Sequence, residues 1–168
     1  MQDHLLTLYT WGRGWIRQAD GKGPDIIELG VRTGNSTAAF LAALEVDRRG
    51  KLWSCDIESA NVPQSWADLD YWDFYQGDCL SDPALTHLPP RCDVLFVDVD
   101  PHSYAQTLEI CEKYVPRVRY GGVALFHDTD PADASDVARA LDEYCRVTTG
   151  AEWRNKPGCH GLGVMRIR

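Results

Sequence analysis

Residues 24–44 read PDIIELGVRTGNSTAAFLAAL, and this stretch predicts the architecture of the chain. Residues 25–29 form a short, β-branched apolar run that ends at a glycine, as a buried strand does. From Asn35 onward, apolar residues recur at helical spacing. The stretch therefore predicts a strand, a tight turn and a helix, which together are half of a βαβ unit.

The predicted turn carries two glycines and follows a carboxylate. Gly30 and Gly34 leave room for a ligand to approach the backbone, and the polar side chains of residues 35–37, Ser36 among them, are suited to cap the helix amides. A dinucleotide turn spaces its glycines as G-x-G-x-x-G, whereas this turn reads Glu28-x-Gly30-x-x-x-Gly34. Because a carboxylate repels anions, Glu28 favours a ligand with an ammonium and a sulfonium group, as in S-adenosylmethionine (SAM).

The pattern resembles the class I SAM-dependent methyltransferases, and the resemblance extends from about Ile26 to the end of the chain. It implies that Glu28, Gly30 and Gly34 hold the methionine part of SAM, with Ser36 as a further cofactor contact. The alternative is that the two glycines make an ordinary turn between a strand and a helix.

Length and charge restrict the class of protein. The 168 residues suffice for one domain over 1–168, with an N-terminal helix in 1–23 and a core in 24–168. The 17 basic and 25 acidic side chains give a net charge of −8, which disfavours binding to nucleic acid. We find no apolar run of membrane-spanning length and no signal-peptide pattern, so we expect a cytoplasmic protein without a membrane partner.

Two further features bear on the core. The six cysteines include no C-x-x-C pair, so we expect reduced thiols that fill the core, and Cys159-His160 lacks a second pair with which to bind a metal. A broad apolar face over about residues 3–19 predicts a helix. This helix either packs on the sheet or, as the resemblance implies, covers the cofactor or the substrate.

The second and third predicted strands, residues 51–56 and 74–78, each end at an acid. Parallel strands bring their carboxyl ends to one edge of a sheet, where open α/β sheets bind ligands. The resemblance implies that Asp56 binds both ribose hydroxyls of SAM and that Asp78 binds the adenine amino group. The alternative for each acid is that it caps the turn after its strand.

The fourth and fifth predicted strands deliver further polar side chains to that edge. Residues 92–97 are a near-continuous apolar run, typical of a strand buried on both faces, and the sequence Asp-Val-Asp-Pro-His-Ser-Tyr comes next at 98–104. After a predicted helix and a predicted turn at Gly121-Gly122, residues 123–126 lead in the same way to His127-Asp128.

This order of motifs resembles the macrocin-type and other antibiotic O-methyltransferases. It implies a divalent cation such as Mg²⁺ held by Asp98 and Asp128, which would activate an acceptor hydroxyl. It further implies that Asp98 lies beside the cofactor and that Asp100 or His102 takes the proton, with His127 as a third catalytic candidate.

The chain departs from the pattern of these enzymes in two places. Relatives read Asp-Gly-Asp-His-Ser-Tyr, whereas here Val99 replaces the glycine and Pro101 is inserted before His102, which shifts that histidine by one position. Where some relatives carry two successive acids, this chain has His127-Asp128. The alternative is that these polar groups cap helices and pair with one another.

The remaining elements complete the predicted fold. A last helix is expected to begin at Asp130, and a strand pair over 151–155 and 162–167 surrounds a turn that begins at Lys156. We therefore predict an α/β fold, a Rossmann-like three-layer sandwich whose mostly parallel seven-stranded sheet has an antiparallel last strand.

The expected function is transfer of a methyl group from SAM to an oxygen of a small molecule, with metal assistance as an option. Two alternatives stay open, namely a nicotinamide enzyme of the same architecture and a binding or structural module without catalysis. Because the chain has almost no insertion that could form a lid, either the partner subunit of a homo-oligomer supplies one or the acceptor is large.

Overall fold

The computed structural model describes residues 4–14, 23–46, 48–133 and 135–168. The helices are α1 (Leu5–Gly14), α2 (Asn35–Glu45), α3 (Asp82–His87), α4 (Tyr104–Tyr114) and α5 (Asp136–Val147). The strands are β1 (Asp25–Leu29), β2 (Lys51–Asp56), β3 (Trp72–Gln76), β4 (Cys92–Val97), β5 (Val118–His127), β6 (Ala151–Lys156) and β7 (Leu162–Ile167). Short 3₁₀ turns lie at Gln64–Trp66, Val115–Arg117 and Pro131–Asp133.

The seven strands form one sheet in the order β3-β2-β1-β4-β5-β7-β6. The pairs among β1 to β5 are parallel, and β7 runs antiparallel to both of its neighbours, β5 and β6. The predicted fold class is therefore confirmed. Strand order reverses between β1 and β4, and open α/β sheets bind ligands at the carboxyl ends beside such a reversal. We call the carboxyl ends of β1, β2, β4 and β5 the rim.

Alternate residues of the central strands face two separate apolar layers, as the period of a strand requires. Ile26 and Phe96 pack with Phe40 of α2 on one face, where the rings of Phe40 and Phe96 lie 5.9 Å apart. Ile27 packs on the other face, against residues of α4 and α5 such as Tyr114. Burying each such side chain contributes about 1.5–3 kcal/mol. These layers make the sheet the middle of a three-layer sandwich.

The N-terminal helix packs closely on α2. A Cβ atom on Gly12 would lie 3.0 Å from Cβ of Ala43, so the missing side chain lets the two helices approach. Leu8 of the same helix is fully buried in the apolar layer that it shares with α2. The expected helix over 3–19 is thus present from Leu5 to Gly14, and its expected second half lies outside the described residues.

Two boundaries differ from the sequence-based expectation. Gly121 and Gly122, predicted as a turn, lie within β5, where the register with β4 shifts and Gly121 adopts a φ of +82° that accommodates the irregularity. The last helix begins at Asp136 rather than Asp130, because the hydroxyl of Ser135 accepts a hydrogen bond from the amide of Ala138 and caps it there.

Two further observations concern the described helices and the cysteines. Among the described helices, none has the length and apolar character that crossing a membrane requires. The described residues form no disulfide, and Cys55, Cys79, Cys92 and Cys111 are buried. Burial raises the pKa of Cys55 to about 12, so it stays a neutral thiol in the core.

Candidate active site

The turn between β1 and α2 brings several strand ends together at the rim. Gly30 has a φ of +91°, and its amide donates a hydrogen bond to the carbonyl oxygen of Cys55 (2.9 Å). A Cβ atom on Gly30 would lie 2.0 Å from the carbonyl oxygen of Asp98, and one on Gly34 would lie 2.6 Å from Cγ1 of Val62. The atoms that come closest to the two glycines therefore belong to the protein itself, and a side chain at either position would collide with them.

The side chain of Glu28 lies inside the protein and not on the crevice. It has no exposed surface, and its oxygens accept hydrogen bonds from the hydroxyls of Ser36 (2.6 Å), Thr37 (2.8 Å) and Ser54 (2.7 Å). Burial raises the pKa of Glu28 to about 7, against the opposite effect of the three hydroxyl donors. The expectation that Glu28 presents its charge to a ligand is therefore wrong, and the acid instead joins α2 to β1 and β2.

The predicted capping of α2 by residues 35–37 is also wrong. Gly34 occupies the N-cap position, and the described chain provides no side-chain hydrogen bond there. The hydroxyls of Ser36 and Thr37 turn to Glu28 instead, because a buried carboxylate without donors would be costly. Ser36 is itself buried, so neither it nor Glu28 presents its side chain to a cofactor.

Asp56 ends β2 at the rim and supports the turn after β1. Its Oδ2 accepts hydrogen bonds from the amides of Val31 (2.7 Å) and Arg32 (2.9 Å), and its Oδ1 accepts one from the amide of Glu58 (2.9 Å). A carboxylate offers about four acceptor positions. Asp56 therefore combines the turn-capping role with room for about one further donor, and not for two ribose hydroxyls in addition to its present partners.

Asp78 comes after the end of β3 and is exposed. Its Oδ1 accepts a hydrogen bond from the amide of Leu80 (2.9 Å), so it also caps a turn. Because this is one hydrogen bond out of about four acceptor positions, the carboxylate retains ample capacity for an amino group.

Four candidate residues meet where β4 and β5 end. Nε2 of His102 lies 2.9 Å from Oδ2 of Asp128 and 3.3 Å from Oδ1 of Asp98. Nδ1 of His127 lies 2.9 Å from the same oxygen of Asp128 and 3.4 Å from the same oxygen of Asp98. Both imidazoles therefore contact the same two oxygens, one from Asp98 and one from Asp128. Sequence reasoning placed these residues at this edge of the sheet.

The charges of these four groups compensate one another. Burial opposes ionisation of Asp98, but hydrogen bonds from His102 and His127 outweigh it and lower the pKa of Asp98 to about 2. The same balance holds the pKa of Asp128 below its usual range. Hydrogen bonds to Asp128 and Asp98 raise the pKa of His102 to about 9. Burial lowers the pKa of His127, but the two carboxylates outweigh it and raise the pKa to about 10.

The backbone around His102 accommodates the inserted Pro101. His102 (φ +55°) and Asp128 (φ +59°) both adopt the left-handed conformation, which is uncommon outside glycine and clusters at functional sites. His102 reaches the carboxylates although its motif is shifted by one residue. Asp100 contacts Nδ1 of His102 (3.2 Å) from the solvent side, with 90% of its side chain exposed.

Sequence reasoning did not single out His4, which lies beside the same site. This residue is fully buried just before α1, its Nε2 lies 2.6 Å from the carbonyl oxygen of Gly158, and its ring lies 6.0 Å from that of His127. The loop of residues 157–161 also contacts the connection after β5, since the amide of Asp130 donates to the carbonyl oxygen of His160 (2.7 Å). His4 was missed because a single histidine before an apolar helix has no second residue at a characteristic spacing that would mark it as functional.

Asp98, His127 and Asp128 form a group that could hold a metal ion, since one ligand atom from each lies within 4.8 Å of the others. The two carboxylates are the ligands expected for Mg²⁺. The third member is an imidazole, which Mg²⁺ does not favour. The residues present thus fit a divalent cation, and they fit Mg²⁺ only in part.

The comparisons with known proteins agree with this architecture. The sequence matches a family model described as "Methyltransferase domain" over residues 27–129, and a search of the curated proteins finds no match. Among solved structures, the chain is similar to a protein from Corynebacterium glutamicum, with 20% identity, a TM-score of 0.73, and coverage of 99% of this chain and 81% of that chain.

Two other similar structures have stated activities. One is CalS11, a TDP-rhamnose 3'-O-methyltransferase of calicheamicin biosynthesis, with 17% identity, a TM-score of 0.72, and coverage of 98% of this chain and 79% of that chain. The other is the MycE methyltransferase of the mycinamycin pathway in complex with Mg, SAH and mycinamycin VI, with 18% identity, a TM-score of 0.61, and coverage of 90% and 47%.

The family match covers more than half of the chain, so the chain belongs to this family of methyltransferase domains. The structural similarities, at 20% identity or less, concern the fold. The expectation of a SAM-dependent methyltransferase is thereby confirmed, and the nicotinamide alternative receives no support.

Proposed function

We propose that the protein transfers the methyl group of SAM to a hydroxyl oxygen of a small molecule bound beside Asp98 and Asp128. The observation that carries this proposal is the meeting of two carboxylates and two imidazoles at the rim, next to the reversal of strand order. A hydroxyl acceptor must be aligned with the methyl group and must lose its proton, and fixed polar groups serve both needs. The O-methyltransferase activity named for CalS11 supports oxygen as the acceptor atom.

The cofactor would lie along the carboxyl ends of β1 and β2. In this proposal Gly30 and Gly34 shape the turn that faces the methionine part, Asp56 accepts a hydrogen bond from one ribose hydroxyl, and Asp78 accepts one from the adenine amino group. Glu28 and Ser36 act from behind this turn by holding its shape. The SAH bound in the MycE complex supports this class of cofactor.

In the reaction, the acceptor oxygen forms a bond to the methyl carbon while the carbon–sulfur bond breaks, and the hydroxyl proton passes to a base. Asp98 and Asp128 would orient the hydroxyl or hold a divalent cation that lowers its pKa, which the Mg of the MycE complex supports. We assign the proton to His102. The ring of His102 can accept this proton only after it has lost the one it carries. It loses that proton once Asp98 and Asp128 turn away from the ring toward the acceptor or the cation. Asp100 and His127 are the other candidates within reach.

The proposal is tested by incubating the protein with SAM and a panel of hydroxylated small molecules, such as sugar nucleotides and catechols, and measuring mass. We expect one product that has gained a single methyl group. Replacing Asp98 or Asp128 with Asn should lower the rate by about 100-fold or more, because groups that align an acceptor or hold a cation that lowers its pKa supply rate factors of that order.

Asp133→Asn is the matched control for these two variants. Asp133 is an exposed acid at the same end of the molecule that pairs with His160 (3.1 Å) and does not contact Asp98 or Asp128 among the described residues. Its variant should keep the wild-type rate. Failure to bind SAM at millimolar concentration in calorimetry, or an unchanged rate in Asp128→Asn, would overturn the proposal.

A further inference from the structure

We propose that one face of the β6–β7 strand pair binds a small molecule that carries two or three linked phosphate groups. The site is a cavity of about 280 Å³, whose lining includes Val164, one acid and four cationic side chains, namely Glu152, Arg154, Lys156, Arg166 and Arg168. The chain has 17 basic residues against 25 acidic ones, yet four of the basic residues meet here. None of the lining residues belongs to the candidate active site.

The geometry of the strand pair arranges the four cations in a row. Lys156, Arg154 and Arg166 occupy three successive residue pairs of the ladder that point to the same side. Such pairs are about 7 Å apart along a strand. Arg168 follows Arg166 by two residues and extends the row. The opposite side of β6 packs on α5, where Nε1 of Trp153 donates a hydrogen bond to a carboxylate of that helix (2.9 Å).

Most of this positive charge has no counter-charge in the described chain. Glu152 lies opposite Arg166 in the ladder but pairs with Arg168 (3.2 Å). The guanidinium group of Arg154 has no hydrogen-bond or ion-pair partner among the described residues, and that of Arg166 has only the ring of Trp11 (5.9 Å). Because neighbouring cations repel one another, an anion that bridges Arg154 and Arg166 would stabilise this arrangement.

The N-terminal helix borders the row of cations. The ammonium group of Lys156 donates a hydrogen bond to the hydroxyl of Thr7, and Arg166 lies over Trp11 of the same helix. These contacts position both cationic side chains without adding a negative charge. The cavity therefore has the strand pair around Val164 as its floor, α1 along one side, and the edge strand β6 on the other.

The side chains and the size of the cavity select the class of ligand. The planar guanidinium group of arginine binds two oxygens of a phosphate at once. Linked phosphates supply several negative charges within a short distance, which matches four cations offset by one acid. A cavity of about 280 Å³ suits a compact ligand. The net charge of −8 opposes a long polyanion such as nucleic acid, so a short phosphate chain is favoured.

The test is a calorimetric titration of the full chain with pyrophosphate, ADP and orthophosphate at constant ionic strength. We expect one site that binds pyrophosphate at least about 10-fold more tightly than orthophosphate, because the larger anion spans two guanidinium groups. Tighter binding of ADP than of pyrophosphate would support a nucleotide as the ligand, and equal binding would support the phosphate chain alone. Equal affinities for pyrophosphate and orthophosphate, or no binding, would overturn the inference.

Two variants and a control locate the bound anion. Arg154→Gln and Arg166→Gln should each weaken pyrophosphate binding by about 10-fold, because each removes a charge-assisted contact. Arg146→Gln removes the same charge from an exposed arginine of α5 that pairs with Glu143 (2.6 Å), and it should bind pyrophosphate like the wild type. Circular dichroism confirms that each variant is folded. Equal losses in all three variants, or no loss in the first two, would contradict the assignment.

A second titration in the presence of saturating SAH separates this cavity from the rim. Because the cavity and the candidate active site share no residue, SAH should leave the affinity for pyrophosphate unchanged. Displacement of pyrophosphate by SAH would place the anion at the rim and overturn the inference. Failure of the chain to bind SAM would remove the proposed function and leave the phosphate site intact.

Discussion

The carboxyl group of Glu28 is held by three hydroxyls in a place without water. A carboxyl in such surroundings resists ionisation, and its pKa is raised from 4.5 to about 7. Because the folded protein keeps a proton that the unfolded chain has released, the contribution of Glu28 to stability falls as pH rises through this range. The loss is complete above about pH 8.

We expect Glu28→Gln to remove this pH dependence, since glutamine has no proton to lose. The free energy of unfolding of the variant, relative to wild type, should rise by roughly 2–3 kcal/mol between about pH 5 and pH 8. Urea unfolding followed by circular dichroism measures it. Glu152→Gln, at an exposed glutamate of β6, is the control and should show no such change. A pH-independent difference for Glu28→Gln would contradict the buried ionisation.

The sequence indicated that Glu28 matters but not the way it points. In β1, Ile26 faces α2, and the period of two places Glu28 on that same face, beneath the first turn of the helix. The sequence-based argument weighed the charge of the residue and its place at the end of the strand. The direction in which the Glu28 side chain points depends on how α2 lies across the sheet, and a local sequence pattern does not specify that packing.

At the scale of elements, the junction of β1, α2 and β4 depends on a single glycine. The amide of Asp98 donates to the carbonyl oxygen of Leu29 (2.8 Å), and this hydrogen bond draws the chain after β4 against Gly30. The connection that carries Asp98 is thus positioned by the same turn that is proposed to face the cofactor.

Gly30→Ala should therefore destabilise the whole domain. The added Cβ would lie 2.0 Å from the carbonyl oxygen of Asp98, and the φ of +91° strains any side chain. We expect a loss of about 2–4 kcal/mol in the free energy of unfolding, measured by urea denaturation. Gly14→Ala is the control, because no described atom lies within 4 Å of its added Cβ. Equal stabilities would show that the turn relaxes more readily than its geometry indicates.

The order of elements was predictable because buried parallel strands and amphipathic helices have clear periodicities. The two boundaries that were wrong depend on hydrogen bonds to residues that are not neighbours in the sequence. Gly121-Gly122 resembles a turn by composition, yet its pairing with β4 keeps it in β5. Asp130-Pro131 resembles a helix start, yet Ser135 donates a hydrogen bond to the carbonyl oxygen of Asp128 and supplies the cap.

At the scale of the whole molecule, the rim collects side chains from several strand ends. Asp56 is the last residue of β2, Asp98 comes directly after β4, His127 is the last residue of β5, and Asp128 is its neighbour in the chain. Parallel strands made this gathering predictable. The inward position of His127 and the presence of His4 were not predictable, because both depend on the packing of α1 and the loop of residues 157–161.

A ligand that binds across the rim stabilises the fold by mass action. SAM at about 100 times its dissociation constant should add about 2.7 kcal/mol, which raises the Tm of a chain of this size by roughly 5–10 °C. Differential scanning calorimetry measures this shift. NADH at the same concentration is the matched ligand and should leave the Tm unchanged. A shift with NADH and none with SAM would revive the nicotinamide alternative.

Because β7 enters the sheet in reverse between β5 and β6, its first residue, Leu162, pairs with His127, and the loop before it lies on the side of the rim where the acceptor is proposed to bind. Evolution can lengthen or alter that loop without disturbing the strand ladder or the turn assigned to the cofactor. Substrate choice and cofactor use are therefore free to diverge separately. One scaffold can acquire a new acceptor by changes confined to a few adjacent codons.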